Sequence, residues 1–138
     1  MQEGVTRGHF DRASSERLVP VRRELGISTF GVNLMALNPG QRNRIHLHRE
    51  QEEAYLVLEG TLTVLVEGEE YELAPFDAIR VAPSLRRQLV NRSPERVLFL
   101  ALGGSAEHVG RDADAFASWD DPGGRPPADV PLPPDLNL

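Results

Sequence analysis

Short runs of apolar residues separated by turn residues follow one another from Arg17 to Leu102. Strands are predicted at 18–21, 29–37, 45–48, 53–58, 61–66, 71–73, 78–81, 87–90 and 97–102. The first run contains Pro20, which cannot donate to a central ladder, so we place that strand at a sheet edge. Glu59-Gly60 lies between two of the runs and predicts a hairpin. Many short strands, with no amphipathic helix between them, predict an all-β sandwich or barrel.

The C-terminal part of the chain has a different pattern. A short helix is predicted from Asp112 to Trp119, because Asp112 is a suitable N-cap and Phe116 lies one turn before Trp119. Six of the eleven prolines follow residue 120, which predicts an extended tail that packs on the barrel or a partner, or stays loose. We therefore expect an N-terminal arm at 1–16, a barrel at 17–105 and a C-terminal extension with a helix and a Pro-rich tail at 106–138.

Composition narrows the possible partners and ligands. The chain has 138 residues and a formal net charge of −6, which argues against nonspecific binding to nucleic acid or anionic lipid. The absence of cysteine means that any metal must be held by nitrogen and oxygen ligands. No apolar run reaches the roughly 18 residues of a membrane span, and the N-terminal stretch does not resemble a signal peptide. We expect a cytoplasmic protein with neither nucleic acid nor membrane as a partner.

The strongest chemical signal is the pair of histidines in the predicted strand 45–48. His46 and His48 are two positions apart, so on a strand both imidazoles project to the same face. Glu53 begins the next strand, and a short turn would bring its carboxylate back beside the rings. Two imidazoles and one carboxylate suit a divalent transition metal with open coordination positions, whereas paired surface histidines are the alternative.

The residues around this pair form a longer motif. The string GQRNRIHLHREQEEAYLVLEG, from Gly40 to Gly60, reads G-x5-H-x-H-x4-E-x6-G. This spacing resembles the first conserved motif of the cupin superfamily. The resemblance implies a single cupin-type double-stranded β-helix, or jelly-roll, barrel. It also implies that His46, His48 and Glu53 occupy three of the four usual metal-ligand positions.

The second cupin motif is only weakly matched. Its usual form is G-x5-P-x-G-x2-H-x3-N, and when its last residue is placed on Asn91, Arg87 stands where the fourth ligand would be. A guanidinium has no lone pair to offer a metal. Two outcomes therefore remain open. Either Arg87 pairs with Glu53 in a metal-free barrel, or the three remaining ligands hold Fe, Mn, Ni or Zn while Arg87 turns toward an anionic ligand.

Other residues are weaker candidates. Arg87, Tyr55 and Asn91 are the candidate ligand-binding residues, and apolar lining is favoured over general acid catalysis for Tyr55. His108 is either a replacement ligand or, as we favour, a surface loop residue, and His9 is expected in solvent. Arg86 is expected to face outward. Three arginines near the histidine strand form a solvated rim or, less favoured, an anion-steering mouth: Arg42, Arg44 and Arg49.

The resemblance and these residues together suggest two functions. The first is a small cupin that binds a small, anionic molecule in its barrel, as a metal-dependent oxygenase or isomerase. The alternative is a metal-free cupin, with a Glu53–Arg87 pair in place of the metal, that binds ligands without catalysis or has a structural role. Because cupins commonly pair N-terminal strands across an interface, we also expect a homodimer through the segment from Leu18 to Leu37.

Overall fold

A computed structural model of the chain describes residues 2–104 and 112–138. These residues form two five-stranded antiparallel sheets, one short α-helix and one 3-10 helix. The strands are β1 (Leu18–Val19), β2 (Gly31–Leu37), β3 (Ile45–His48), β4 (Glu52–Glu59), β5 (Leu62–Val66), β6 (Glu69–Leu73), β7 (Ala78–Val81), β8 (Arg87–Val90), β9 (Val97–Gly104) and β10 (Ala113–Phe116). The helices are α1 (Val21–Leu25) and the 3-10 helix η1 (Pro127–Asp129).

The strand order identifies the architecture. The first sheet has the order β1-β2-β9-β4-β7 and the second has the order β10-β3-β8-β5-β6. Neighbours that are distant in sequence, such as β3 beside β8 and β4 beside β9, are typical of a jelly-roll in which strands alternate between two sheets. The predicted all-β barrel is therefore confirmed.

The core fills the space between the two sheets. Side chains alternate along each strand, so Met35 and Leu37 of β2 face inward while Leu34 and Ala36 face outward. The inner cluster consists of fully buried or nearly buried apolar side chains: Leu37, Tyr55, Val57, Leu62, Val64, Leu73, Val81, Leu89, Val97, Phe99 and Ala101. This packing gives the barrel a rigid wall on which inward-facing polar residues can be held.

The N-terminal segment covers part of the outer face of the first sheet. Phe10, Val19 and Val21 pack against the small outer cluster that includes Leu34 and Leu98. The predicted edge strand is confirmed only for Leu18–Val19, because Pro20 ends it and α1 follows. The sequence analysis missed α1, which is a single helical turn that ends at Gly26 in the left-handed conformation, φ 72°.

The helix predicted at 112–119 is wrong. Residues Ala113–Phe116 form β10, which pairs antiparallel with the edge of β3, and Ala115 lies opposite His46. The main-chain N–H and C=O groups on that side of β3 need hydrogen-bond partners. The free energy gained by pairing them outweighs the local preference of residues 112–119 for a helix. Asp112 is not a helix cap, because its carboxylate accepts hydrogen bonds from the main-chain N–H groups of Glu50 and Gln51 at 2.9 and 2.8 Å.

The Pro-rich tail is extended and packs along the barrel. The Arg44 Nε donates to the carbonyl of Val130, and the Arg42 Nε donates to that of Pro134 at 3.0 Å. Farther along, the Leu136 N–H donates to the Gly40 carbonyl at 2.7 Å. Gly40 has φ +85°, and a Cβ there would lie 2.7 Å from the Leu136 carbonyl oxygen, so glycine permits this close approach.

Within residues 2–104 and 112–138, no helix is long and apolar enough to cross a bilayer.

Candidate metal centre

The three predicted metal ligands come from two strands of different sheets. His46 and His48 lie on β3 with their imidazoles on one face, and Glu53 lies near the start of β4. The turn at residues 49–51 connects these strands, and Asp112 fixes it by accepting from two of its N–H groups. One ligand atom from each of the three side chains lies within 4.8 Å of the others.

The nitrogens that face the carboxylate are the two Nε2 atoms. His48 Nε2 lies 3.0 Å from Glu53 Oε2, and His46 Nε2 lies 3.9 Å from Glu53 Oε1. The two rings meet edge to face, with centroids 5.3 Å apart. All three side chains are between 12% and 17% exposed, so the site is shielded but not closed to small molecules.

The tautomer of His46 follows from its hydrogen bond. Its Nδ1 lies 2.9 Å from the Arg44 carbonyl oxygen, which can only accept, so Nδ1 carries a proton. A neutral ring then has a lone pair on Nε2, directed toward the carboxylate of Glu53. His46 therefore presents Nε2 to the space that it shares with His48 and Glu53. The donor set therefore fits a divalent transition metal.

Glu53 is held as an anion. Burial raises its pKa, but in the absence of a metal the hydrogen bonds from His46 and His48 and the opposite charge of their protonated rings outweigh burial and bring the pKa well below its usual range. The Tyr55 hydroxyl also donates to Oε1 of this carboxylate. Burial raises the pKa of Tyr55 well above its usual value, and the negative charge of Glu53 raises it further, so the hydroxyl keeps its proton. Tyr55 thus orients the carboxylate.

Arg87 lies behind the site. It is opposite His46 in the pairing of β3 with β8, and its side chain is fully buried. Its Nη2 donates to the Ala82 carbonyl at 2.9 Å, while its Nη1 lies 3.8 Å from Glu53 Oε1 without forming a hydrogen bond. The guanidinium therefore gives Glu53 a nearby positive charge and does not stand between the two histidines.

Asn91 is not placed to bind a ligand. It is fully buried, and its Nδ2 donates to the carbonyls of Leu37 at 2.9 Å and Glu95 at 2.7 Å. Its Oδ1 accepts from the N–H and hydroxyl of Ser93. Because these bonds occupy its amide, Asn91 holds the turn between β8 and β9 and we remove it from the ligand-binding set.

Two connected cavities open onto the centre, and both are lined by His48 and Glu53. The first, which we call the polar lobe, has a volume of about 420 Å³ and is lined also by Arg22, Arg23 and Gln51. The second, the apolar lobe, has a volume of about 350 Å³. Its walls are mainly carbon: Leu18, Met35, Leu37, Tyr55, Leu89, Ala101, Ala113, Pro127 and Leu132, with Arg17, Asn33, Asn43, Arg44 and His46 as further polar members. Arg87 lines neither lobe.

The arginines near the histidine strand hold the C-terminal segment. Arg42 and Arg44 donate to its carbonyls, and Arg49 pairs with Asp114 of β10 at 3.1 Å. Arg86 is not simply solvated, since its guanidinium lies 3.6 Å above the ring of Phe116. His9 is exposed, as expected, and the prediction for His108 lies outside the described residues.

Sequence reasoning missed Arg22 and Arg23. Both lie on α1, which places them on the wall of the polar lobe. Two adjacent arginines after a proline were a visible signal, but a single helical turn is too short to give a detectable apolar period.

The jelly-roll thus brings the H-x-H pair of β3 and a glutamate of β4 together at its interior. A family model described as "Cupin domain" matches residues 33–103, and the chain belongs to this family. A cupin protein from Bacteroides fragilis superposes with a TM-score of 0.69 at 23% identity, over 78% of this chain and 90% of that one. No curated protein sequence matches the chain.

Two further solved structures are more similar in sequence. A sugar phosphate isomerase of the cupin superfamily from Silicibacter pomeroyi has a TM-score of 0.64 at 27% identity, over 84% of this chain and 79% of that one. A protein from Thermus thermophilus has a TM-score of 0.59 at 28% identity, over 68% and 89% of the two chains.

Proposed function

We propose that the protein is a metal-dependent cupin that binds one divalent transition metal through His46, His48 and Glu53 and acts on a small anionic molecule. One observation supports the metal most strongly. His46, His48 and Glu53 each bring one ligand atom to within 4.8 Å of the others, and the hydrogen bond from His46 Nδ1 to the Arg44 carbonyl leaves Nε2 as the nitrogen that can bind a metal. Fe, Mn, Ni and Zn all suit two imidazoles and one carboxylate.

A bound metal would supply a Lewis acid that polarises a substrate oxygen. The residues of the chain would do the rest. Tyr55 donates to Oε1 of Glu53, and Arg87 places a positive charge 3.8 Å from the same oxygen, so the two would fix the orientation and the charge of this ligand. The apolar walls shield the site from bulk water, which strengthens electrostatic interactions inside it. Arg22 and Arg23 make the polar lobe attractive to an anion.

The reaction class is supported by similarity alone. The Silicibacter pomeroyi protein is named as a sugar phosphate isomerase, and it covers most of this chain at 27% identity. Isomerisation is therefore the reaction we favour over oxygenation. Because one fold hosts many chemistries, the site itself has to be tested.

Metal analysis of the purified protein tests the proposal. After incubation with Fe(II), Mn(II), Ni(II) or Zn(II) and removal of excess, we expect about one equivalent of one metal in the wild type. The variants His46→Ala and His48→Ala should each retain less than a tenth of that. His9→Ala, which changes an exposed histidine, is the matched control and should bind like the wild type. Absence of bound metal in the wild type after all four incubations would refute the proposal.

The metal-free alternative rests on Arg87. Its Nη1 is 3.8 Å from Glu53 Oε1, and this pair could neutralise both groups without a metal. In that case Arg87→Met would acquire metal that the wild type does not take up. About one equivalent of metal in both proteins would exclude this alternative.

We also propose a homodimer through the segment from Leu18 to Leu37. Leu18 and Phe30 are both 45% exposed, and β1 is the edge of its sheet. Light scattering should give about twice the chain mass of 15.3 kDa. A species of single-chain mass at micromolar concentration would contradict it.

A further inference from the structure

The polar and apolar lobes meet at the metal centre. Six residues line both of them: Leu18, Asn33, His48, Glu53, Ala101 and Ala113. A ligand that touched the centre could therefore extend into either lobe, and one with two chemically different ends could occupy both.

The polar lobe is suited to a negatively charged group. Arg22 donates to the Ile27 carbonyl at 3.3 Å, and the guanidinium of Arg23 has no hydrogen bond or ion pair with any residue of the described ranges. Among the acidic groups of this wall, Asp112 already accepts two main-chain N–H groups and Glu53 belongs to the metal centre. Two guanidinium groups are thus available for an anion, and guanidinium geometry matches carboxylate and phosphate.

The apolar lobe is suited to hydrocarbon. Its wall opposite the core is made by the C-terminal segment, which contributes Pro127 and Leu132. Leu132 is 45% exposed, so part of its apolar side-chain surface is open to the cavity and can contact a ligand. At roughly 30 Å³ for each water-sized group, 350 Å³ holds about twelve methylene-sized groups.

The position of Leu132 is fixed on both sides. The Val130 carbonyl accepts from Arg44, and the Pro134 carbonyl accepts from Arg42. Val130 is itself 3% exposed and anchors the segment in the barrel. Leu132 therefore forms part of a preformed wall and does not belong to a loose tail.

We propose that this protein binds an aliphatic anion, a carboxylate or a phosphate, with its charged group near Arg22 and Arg23 and its hydrocarbon chain in the apolar lobe against Leu132. This inference deepens the proposed function and rests on it for the metal at the centre. It departs from a sugar phosphate, because the hydroxyl groups of a sugar would lose their hydrogen bonds to water in a lobe lined mainly by carbon.

A chain-length series tests the proposal. Acetate, butyrate, hexanoate and octanoate are titrated into the full-length, metal-loaded protein by calorimetry. Burying one methylene contributes about 0.8 kcal/mol, so Kd should fall about fourfold for each methylene added until the lobe is full. A parallel titration with octyl phosphate shows whether the charged group is carboxylate or phosphate, since the preferred one binds more tightly.

Two pairs of variants separate the two lobes. Leu132→Ala should weaken octanoate binding about fivefold and leave acetate binding unchanged. Leu138→Ala, which changes an exposed leucine of the same segment, should have no effect. Replacing Arg22 and Arg23 together by alanine should weaken the whole series about tenfold, whereas Arg12→Ala, which lines neither lobe, should not.

The outcomes distinguish this inference from the proposed function. If metal binds but Kd is independent of chain length, or if glucose 6-phosphate binds more tightly than octanoate or octyl phosphate, the aliphatic ligand is refuted and the metal centre stands. If no metal binds, the proposed function fails, and the same series on the metal-free protein then decides whether the apolar lobe selects hydrocarbon. Equal effects of Leu132→Ala and Leu138→Ala would also overturn the proposal.

Discussion

Replacing Arg87 with methionine removes a positive charge that is fully buried behind the candidate metal centre while keeping most of the side-chain volume. Its Nη1 lies 3.8 Å from Glu53 Oε1, and at an effective dielectric of about 20 this pair is worth about 4 kcal/mol. Removing one member of a buried pair costs about 3–5 kcal/mol. Because His46, His48 and Tyr55 also stabilise Glu53, we expect the metal-free protein to lose about 3 kcal/mol.

The same substitution should strengthen metal binding. A dication held by Glu53 repels the guanidinium, so the metal-loaded wild type carries an unfavourable interaction that Arg87→Met lacks. If a net repulsion of about 1.4 kcal/mol remains after the side chains adjust to the metal, the variant binds the metal about tenfold more tightly than the wild type. Metal should therefore raise the melting temperature of Arg87→Met by more than it raises that of the wild type.

Thermal unfolding with and without metal, combined with calorimetric titration, measures both effects. At about 2–4 °C for each kcal/mol, the metal-free variant should melt about 10 °C lower than the wild type. Arg80→Met is the control, since its ion pair with Glu52 is exposed and should contribute less than about 1 kcal/mol. If Arg87→Met does not fold, Arg87→Gln keeps a donor for the Ala82 carbonyl. Weaker metal binding in the variant, or an unchanged melting temperature without metal, would refute the reasoning.

Two further predictions concern single groups. Tyr55→Phe removes the hydroxyl that donates to Glu53, so calorimetry should show metal affinity lowered about tenfold with the fold intact; unchanged affinity would contradict the positioning role. Gly60→Ala places a Cβ 2.5 Å from a main-chain carbonyl oxygen at φ +79° and should cost about 2–3 kcal/mol in urea unfolding. Gly68→Ala, with φ +90° and open space around it, should cost only about 1 kcal/mol, and equal losses would contradict the clash.

The strands near the site were predictable because their signals are local. The bounds of β3, β7 and β8 agree with the sequence prediction, since each is a short segment of mixed apolar and polar residues that is set off by turn residues. The convergence of His46, His48 and Glu53 followed from strand alternation and a short turn. Both inferences need only residues that are close together in the chain.

The failures concern contacts between distant residues. Local residue types at 112–119 favour a helix, but β10 forms because β3 offers it an unpaired edge. Likewise, the sequence predicts that Arg87 lies near Glu53, but it does not predict the hydrogen bond that Arg87 Nη2 donates to the Ala82 carbonyl. The position of Leu132 in the cavity wall depends on hydrogen bonds from Arg42 and Arg44 to the C-terminal segment, which is far from both arginines in the sequence.

The pairing of β3 with β10 has a consequence for biosynthesis. The strand that carries both histidines gains its second hydrogen-bonded neighbour only when residues 113–116 become available. A nascent chain that has emerged only as far as β9 would therefore expose an open strand edge on the strand that carries the two histidines, which is a hazard for misassembly. Under the proposed function, metal acquisition is expected to follow synthesis of the C-terminal strand, and metal supplied to a stalled shorter chain should be poorly retained.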